Sequence, residues 1–210
     1  MRNSKITFLI PIFLLIMHIR AHSQPEGEGY AIVRQDEKIT LYERWTPFPG
    51  TSTNARQIKG VFEVAVSLPD MYSVIHSEQK IKAWQENILE YKFIPKTDTT
   101  WIIYSVAEIP WPLSNQDYLL SYSLLEKNEK RIIVSFEHNT SVDMATLREN
   151  VDRTPTVGTW LLEKISDQKT KVTYTVTSMP VDYPRFVTDR LVRNNLMSTI
   201  NKLITVAEKK

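Results

Sequence analysis

Cysteine is absent from all 210 residues. That excludes a disulfide framework, thiolate chemistry and zinc–sulfur sites, so stability has to come from packing. Histidine is scarce: of four, His18 and His22 fall in an apolar N-terminal stretch, which leaves His76 and His138. There is no His-Glu-x-x-His pair and no Gly-x-Ser-x-Gly elbow, and the five glycines form no phosphate-cradling loop. His138 follows Glu137 on an alternating segment, so the two point to opposite faces and cannot share a metal there. The expectation is therefore no metal and no cofactor. An excess of charge of either sign is lacking as well. The formal charge is +2, and it falls to −1 for residues 24–210, because the first 23 residues carry Arg2, Lys5 and Arg20 and no acid. A chain this close to neutral is not expected to bind nucleic acid. Internal repeats and low-complexity tracts are missing too.

What is present begins with a leader. Arg2 and Lys5 precede an apolar run from Ile6 to Ile19, and Ala21-His22-Ser23 places small residues at −3 and −1 of a cleavage site. The run of about 14 residues is shorter than the ~20 that span a bilayer. This is the layout of a cleaved secretory signal peptide. The expected organisation is a signal peptide over 1–23 and one domain over 24–210, exported to a periplasm or the exterior. No cysteine follows the apolar run, which excludes a lipid-anchored lipoprotein. The remaining 187 residues suffice for one domain with a substantial core.

The most ordered stretch is Thr99 to Lys127. Trp101, Ile103, Ser105, Ala107 and Ile109 alternate with Ile102, Tyr104, Val106 and Glu108, the period of a strand. Pro110 and Pro112 cannot donate to a ladder, so the Pro-Trp-Pro-Leu-Ser-Asn segment is a connection. Alternation resumes at Asp117, with Tyr118, Leu120, Tyr122 and Leu124 on one face. Further strands are expected over 38–45, 57–67, 87–96, 131–138, 158–165 and 170–179, the last two forming a hairpin. Residues 24–36 read as a polar start that contains at most a short helix. Leu68-Pro69-Asp70 changes the period to helical, giving a helix or helix pair over 68–86. Pro184 to Glu208 reads as one long amphipathic helix, its stripe formed by Val187, Leu191, Leu196, Ile200, Leu203 and Ala207. The class is α+β, a curved antiparallel sheet gripping a long C-terminal helix.

Element order and local motifs resemble the START lipid-transfer domain within the helix-grip (Bet v 1-like) group. The matching residues are Lys59-Gly60, Trp84, the run Pro110 to Tyr118, Arg153, Gly158, Trp160, Thr170 to Tyr174, and Pro184. The resemblance covers about residues 36–208, and the Pro112-Leu113 and Asp117 segment is its most specific piece. Where the family usually has Arg before the Asp, this chain has Gln116, which can hydrogen-bond but carries no charge. The resemblance implies an internal cavity for an apolar or amphipathic molecule, with the terminal helix as its lid. The implied partner is a lipid or other hydrophobic small molecule, with transient membrane contact.

Candidates for that cavity are Trp101, Tyr104, Trp111, Tyr118, Tyr122, Phe136, Trp160 and Tyr174, with Leu196 and Ile200 on the helix. Aromatics interleaved with Ser and Thr suit a mainly apolar pocket with a few polar hooks, although the same pattern also fits tyrosines that reach the surface. Parity forbids all of them facing inward, since Trp101 and Tyr104 lie on opposite faces. Asp117 and Arg153 are the charged candidates: Asp117 as a structural acceptor, Arg153 as its partner or as a contact for a ligand headgroup. Two other functions stay open at this point. A helix-grip enzyme of cyclase or hydrolase type would need an acid–base pair drawn from Glu108, Asp117 and His138. A module binding protein or cell-wall material would use an exposed face instead.

Overall fold

A computed structural model describes residues 29–209 except 86, 112, 142–144, 146–148 and 182. The expected leader, residues 1–23, lies outside the described residues. Ten strands form one sheet. They are β1 (Ala31–Gln35), β2 (Ile39–Pro47), β3 (Asn54–Val64), β4 (Ile88–Pro95), β5 (Thr100–Ala107), β6 (Asn115–Lys127), β7 (Arg131–His138), β8 (Val151–Arg153), β9 (Thr156–Ser166) and β10 (Lys169–Ser178). Helices α1 (Leu68–His76) and α2 (Glu78–Trp84) separate β3 from β4, and α3 (Arg185–Glu208) ends the chain. The order across the sheet is β1-β2-β3-β10-β9-β7-β6-β5-β4, antiparallel throughout. Off this path, β8 runs parallel to Asn115–Asp117 at the start of β6.

The local rules that shape these elements are simple. Ser67 caps α1, its hydroxyl accepting from the Asp70 N–H at 3.2 Å, and Pro69 and Asp70 occupy the first turn. The extended backbone of Ser77 separates α1 from α2. The Trp84 indole N–H donates to the Val74 carbonyl at 3.0 Å and ties the two short helices together. The α1–α2 pair carries the chain from β3 to the far edge strand β4, so the sheet curls with both helices and α3 on its inner face.

Glycine is required at two points of close approach. A Cβ on Gly60 would lie 2.7 Å from Ile200 Cδ1, so α3 rests on β3 there. A Cβ on Gly158 would lie 2.2 Å from the Thr175 carbonyl oxygen and 2.3 Å from Phe136 Cζ, so the Phe136 ring lies over bare backbone. One core fills the inner side, joining Phe62, Val64, Met71, Ile81, Leu162 and Leu203 among others. A smaller cluster of Ile102, Tyr104, Val106, Leu119 and Ala145 sits on the opposite face of β5 and β6.

Two expectations are corrected. Among the described residues of the polar start there is no helix: Ala31–Gln35 is an edge strand paired to β2, where it satisfies the β2 backbone while Val33 packs on the core. The three-residue strand β8 was not anticipated, because its formation depends on a parallel partner 36 residues earlier in the chain. The other expected strands, the helix pair and the long helix occur with boundaries shifted by a few residues.

Candidate functional site

Strand parity and α3 leave a space between them. The inner-facing side chains of β5, β6, β7, β9 and β10 meet α2 and the stretch of α3 from Arg185 to Leu203 around a cavity of about 370 Å3. On β5 it is Ile103, Ser105 and Ala107 that face the cavity; on β6 it is Gln116, Tyr118, Leu120 and Tyr122. Leu191, Val192, Asn195, Leu196, Thr199 and Ile200 roof it from α3.

A band of aromatic rings crosses the inner face. Phe93 stacks on Trp101 (centroids 6.4 Å apart), Trp101 on Tyr122 (5.4 Å), Tyr122 on Phe136 (5.2 Å), Phe136 on Tyr174 (6.0 Å) and Tyr174 on Trp160 (4.1 Å). Trp160 meets Trp84 of α2 edge-on at 6.1 Å. Each such contact contributes about 0.5–1.5 kcal/mol beyond area burial, so the floor is rigid. It is also neutral. Burial pushes the Tyr118 hydroxyl up to about 12, with Asp117 adding to the shift, and raises those of Tyr122 and Tyr174 well beyond their ordinary value.

Polar groups collect at one end. Gln116 and Ala107 face each other at the last β5–β6 pair, Thr156 faces Ser178 at the last β9–β10 pair, and Ser178 faces Arg56 on β3. The Tyr118 hydroxyl donates to Gln116 Oε1 at 2.7 Å, and the Thr156 and Ser178 hydroxyls lie 3.2 Å apart. This end opens between the β5–β6 loop, with Ile109 and Leu113 in the lining, and the β10–α3 connection, with Met179, Pro180, Val181 and Tyr183.

Beside the mouth, charges fasten α3 to the sheet. Arg193 grips the buried Glu43 with two bonds of 3.1 Å, Arg56 pairs with Asp189, and Arg193 and Arg185 lie 3.5 Å and 3.6 Å from Asp189. Burial draws the Arg56 guanidinium below its ordinary value while Asp189 and Glu43 pull it back; the hydrogen bond to Glu43 raises Arg193.

Of the residues singled out from sequence, Tyr118, Tyr122, Phe136, Trp160, Tyr174, Leu196 and Ile200 line the cavity. Five do not. Trp101 shares the inner face but lies beyond the cavity's closed end, buried between His76, Phe93 and Tyr122. Tyr104 and Asp117 point to the outer face by parity, and the Tyr104 hydroxyl donates to Asp117 Oδ2 at 3.3 Å. Arg153 clamps Asp117 with bonds of 2.8 Å and 2.6 Å and also donates to the Ala145 carbonyl at 3.2 Å. Asp117 is 1% exposed, so this pair pins β8 and Ala145 onto the back of the sheet, away from the cavity lining. Trp111, 92% exposed, stands out from the loop beside the mouth.

Sequence reasoning missed Arg56, Gln85, Thr156 and Ser178 in the lining, and Glu43 beside it. For Arg56 a signal existed: carrying the Phe62–Val64 alternation back along β3 places Arg56 on the inner face with Ile58. Gln85 follows a helix end and carries no periodic signal. Among the described residues no group of three or more His, Asp or Glu could hold a metal ion.

No protein-family model matches the sequence, and no curated protein sequence matches it. The fold has clear counterparts among solved structures. Human STARD10 superposes with a TM-score of 0.73 at 18% identity, covering 87% of this chain and 74% of that one. Human StAR-related lipid transfer protein 5 superposes at 0.73 and 16% identity, covering 88% of each chain. A STAR-related lipid transfer protein from Xanthomonas axonopodis gives 0.72 at 22% identity over 87% of this chain and all of that one. The Zhui aromatase/cyclase from a Streptomyces species is more distant, at 0.56 and 10% identity over 73% of this chain and 94% of that one. The curved sheet, the α1–α2 crossover and the gripped terminal helix are thus the START-like helix-grip fold.

Proposed function

We propose that this chain is an exported lipid-binding and lipid-transfer protein that holds an apolar or amphipathic ligand beneath α3. The observation that carries the proposal is the cavity itself: a mainly apolar, aromatic-floored space under a helix whose N-terminal half is tied to the sheet by ion pairs in addition to the packing of Val192 and Leu196. Covering a few hundred Å2 of apolar ligand surface at ~25 cal/mol per Å2 contributes several kcal/mol, enough for micromolar affinity once ordering costs are met. The likeness to lipid-transfer domains supports the same reading at the level of the fold. No described lining residue is Asp, Glu or His, and the Glu108, Asp117 and His138 that an acid–base mechanism would draw on all lie off the lining. That favours carriage over turnover.

Transfer needs the mouth to meet a membrane. Trp111 and Phe186, 92% and 82% exposed, flank it, each within two residues of lining side chains. Aromatic rings partition into the bilayer interface, so these two would seat the mouth on the headgroups while α3 lifts. The test is native mass spectrometry of the purified protein followed by organic extraction. A discrete co-purifying lipid in stoichiometric amount is the expected result; repeated isolation of an empty protein that also fails to take up lipid from vesicles would remove the proposal.

A further inference from the structure

We infer that the carried molecule bears a carbonyl oxygen, as a ketone, ester or amide, and that the hydroxyls of Tyr122 and Tyr174 hold it at the closed end of the cavity. This rests on the cavity being the binding site, as proposed above, and it names the ligand's polar group and the two residues that read it.

Position comes first. Tyr122 and Tyr174 are the innermost lining residues of β6 and β10, since the next inner-facing positions, Leu124 and Val172, belong to the core. The two rings flank Phe136, with centroids 5.2 Å and 6.0 Å from it. Ser105, Gln116, Thr156 and Ser178, the other hydroxyl and amide groups lining β5, β6, β9 and β10, sit nearer the mouth.

Access comes second. Several buried polar atoms without a partner, Gln85 Oε1, Arg56 Nε and the Tyr91 hydroxyl among them, are closed to water. The Tyr122 and Tyr174 hydroxyls also have no hydrogen-bond partner among the described residues, yet they are not closed off, and both side chains line the cavity. Burial nonetheless raises both well above the ordinary value, and Tyr122 and Tyr118 add to the rise at Tyr174. Hydroxyls this deep are reached through the cavity, and the three phenols share one part of it. Tyr118 already donates to Gln116 at 2.7 Å, so Tyr122 and Tyr174 keep the uncommitted protons.

The chemistry of these groups selects the ligand atom. A ligand filling the closed end expels the water that would otherwise satisfy both hydroxyls. Bare hydrocarbon there would leave two donors unpaired, and a site built to hydrogen-bond rejects such a molecule. The ring draws on a phenol's oxygen lone pairs, which makes it a stronger donor and a weaker acceptor than an aliphatic alcohol. The Trp160 indole N–H, in the ring stacked on Tyr174, likewise has no partner and is not closed off, and it can only donate. A set that mainly donates fits a carbonyl oxygen, which has two lone pairs and no proton of its own to place.

Three probes test this on the purified full chain: 2-undecanone, 2-undecanol and undecane, with affinities read from quenching of Trp84 and Trp160. The ketone-to-undecane affinity ratio within one protein is compared with the same ratio in Tyr122→Phe and Tyr174→Phe. Each substitution should lower it about fivefold or more and lower the alcohol-to-undecane ratio by less. Neither should reduce the melting temperature, because neither hydroxyl bonds to the protein. In the unaltered protein, the infrared carbonyl stretch of bound 2-undecanone should lie at lower wavenumber than in hexane, a readout that needs no variant. A ketone ratio unchanged in both variants, an alcohol ratio that falls as far as the ketone's, or a bound carbonyl at its hexane wavenumber would each overturn the inference, while continued binding of undecane would leave the cavity as the binding site. Binding of none of the three would overturn both.

Discussion

Helix α3 is attached to the sheet by two different kinds of contact, and a single substitution should separate them. Its C-terminal half buries Met197, Ile200, Leu203 and Ile204 in the core. Its N-terminal half is held by Asp189 and Arg193 against Arg56 and Glu43, and Glu43 is only 6% exposed. Arg193→Met keeps the stem and removes both 3.1 Å bonds to Glu43. Charge-assisted bonds contribute about 1.5–3 kcal/mol each to stability; partial exposure of Arg193 and the remaining Arg56–Glu43 approach at 3.9 Å bring the expected net loss to about 2 kcal/mol. That is a roughly 30-fold increase in local opening. Amide hydrogen exchange reads it directly: residues 185–196 should lose about that much protection while 197–208 keep theirs, and bound lipid should dissociate faster by a similar factor. Equal loss of protection along the whole helix, or none, would refute the division of α3 into a movable and an anchored half.

Four further outcomes follow from the same geometry. Arg153→Met should cost about 3–5 kcal/mol in denaturant melts because it strands the buried Asp117, and the folded fraction should retain the ligand preference of the parent, since neither residue touches the cavity. Gly158→Ala forces a Cβ against backbone and ring, so it should destabilise by about 1–3 kcal/mol; a melting temperature within a degree of the parent's would contradict the close approach of Phe136. His76 lies 5.1 Å from the ring of Tyr72 and 4.4 Å from that of Trp101, and burial, with Lys127 nearby, depresses its pKa. The unfolded chain then binds the proton more readily, so stability present above pH ~6.5 should fall on acidification through and below that value, and His76→Phe should flatten the slope of melting temperature against pH. Replacing Trp111 and Phe186 together by Ser should slow lipid exchange between vesicles severalfold while leaving equilibrium lipid content and thermal stability unchanged, because both side chains project into solvent.

How much was legible beforehand depends on the range of the interaction. The alternation around Trp101 and Tyr118 identified β5 and β6 and put Tyr104 on the opposite face from Trp101. Parity cannot say how far along an inner face a cavity extends. Trp101 and Ile103 are indistinguishable by that rule, yet only Ile103 reaches the open space, because His76 and Phe93 fill the region around Trp101. The off-stripe residues of α3 show the same limit. Asp189 and Arg193 are polar positions on a helical wheel, and their purchase on Glu43 and Arg56 depends on strands about 130 to 150 residues earlier in the chain.

The sequence by itself determined the periods: two along the strands, helical over 68–86 and 184–208, with prolines marking where one gives way to the other. These depend on contacts between near neighbours, which composition and order specify directly. The hollow and the pairing of Arg56, Arg185 and Arg193 beside it were decided only when distant strands came into register and α3 settled on Gly60. Whether side chains meet or leave a gap depends on ångström-scale distances that no local pattern encodes.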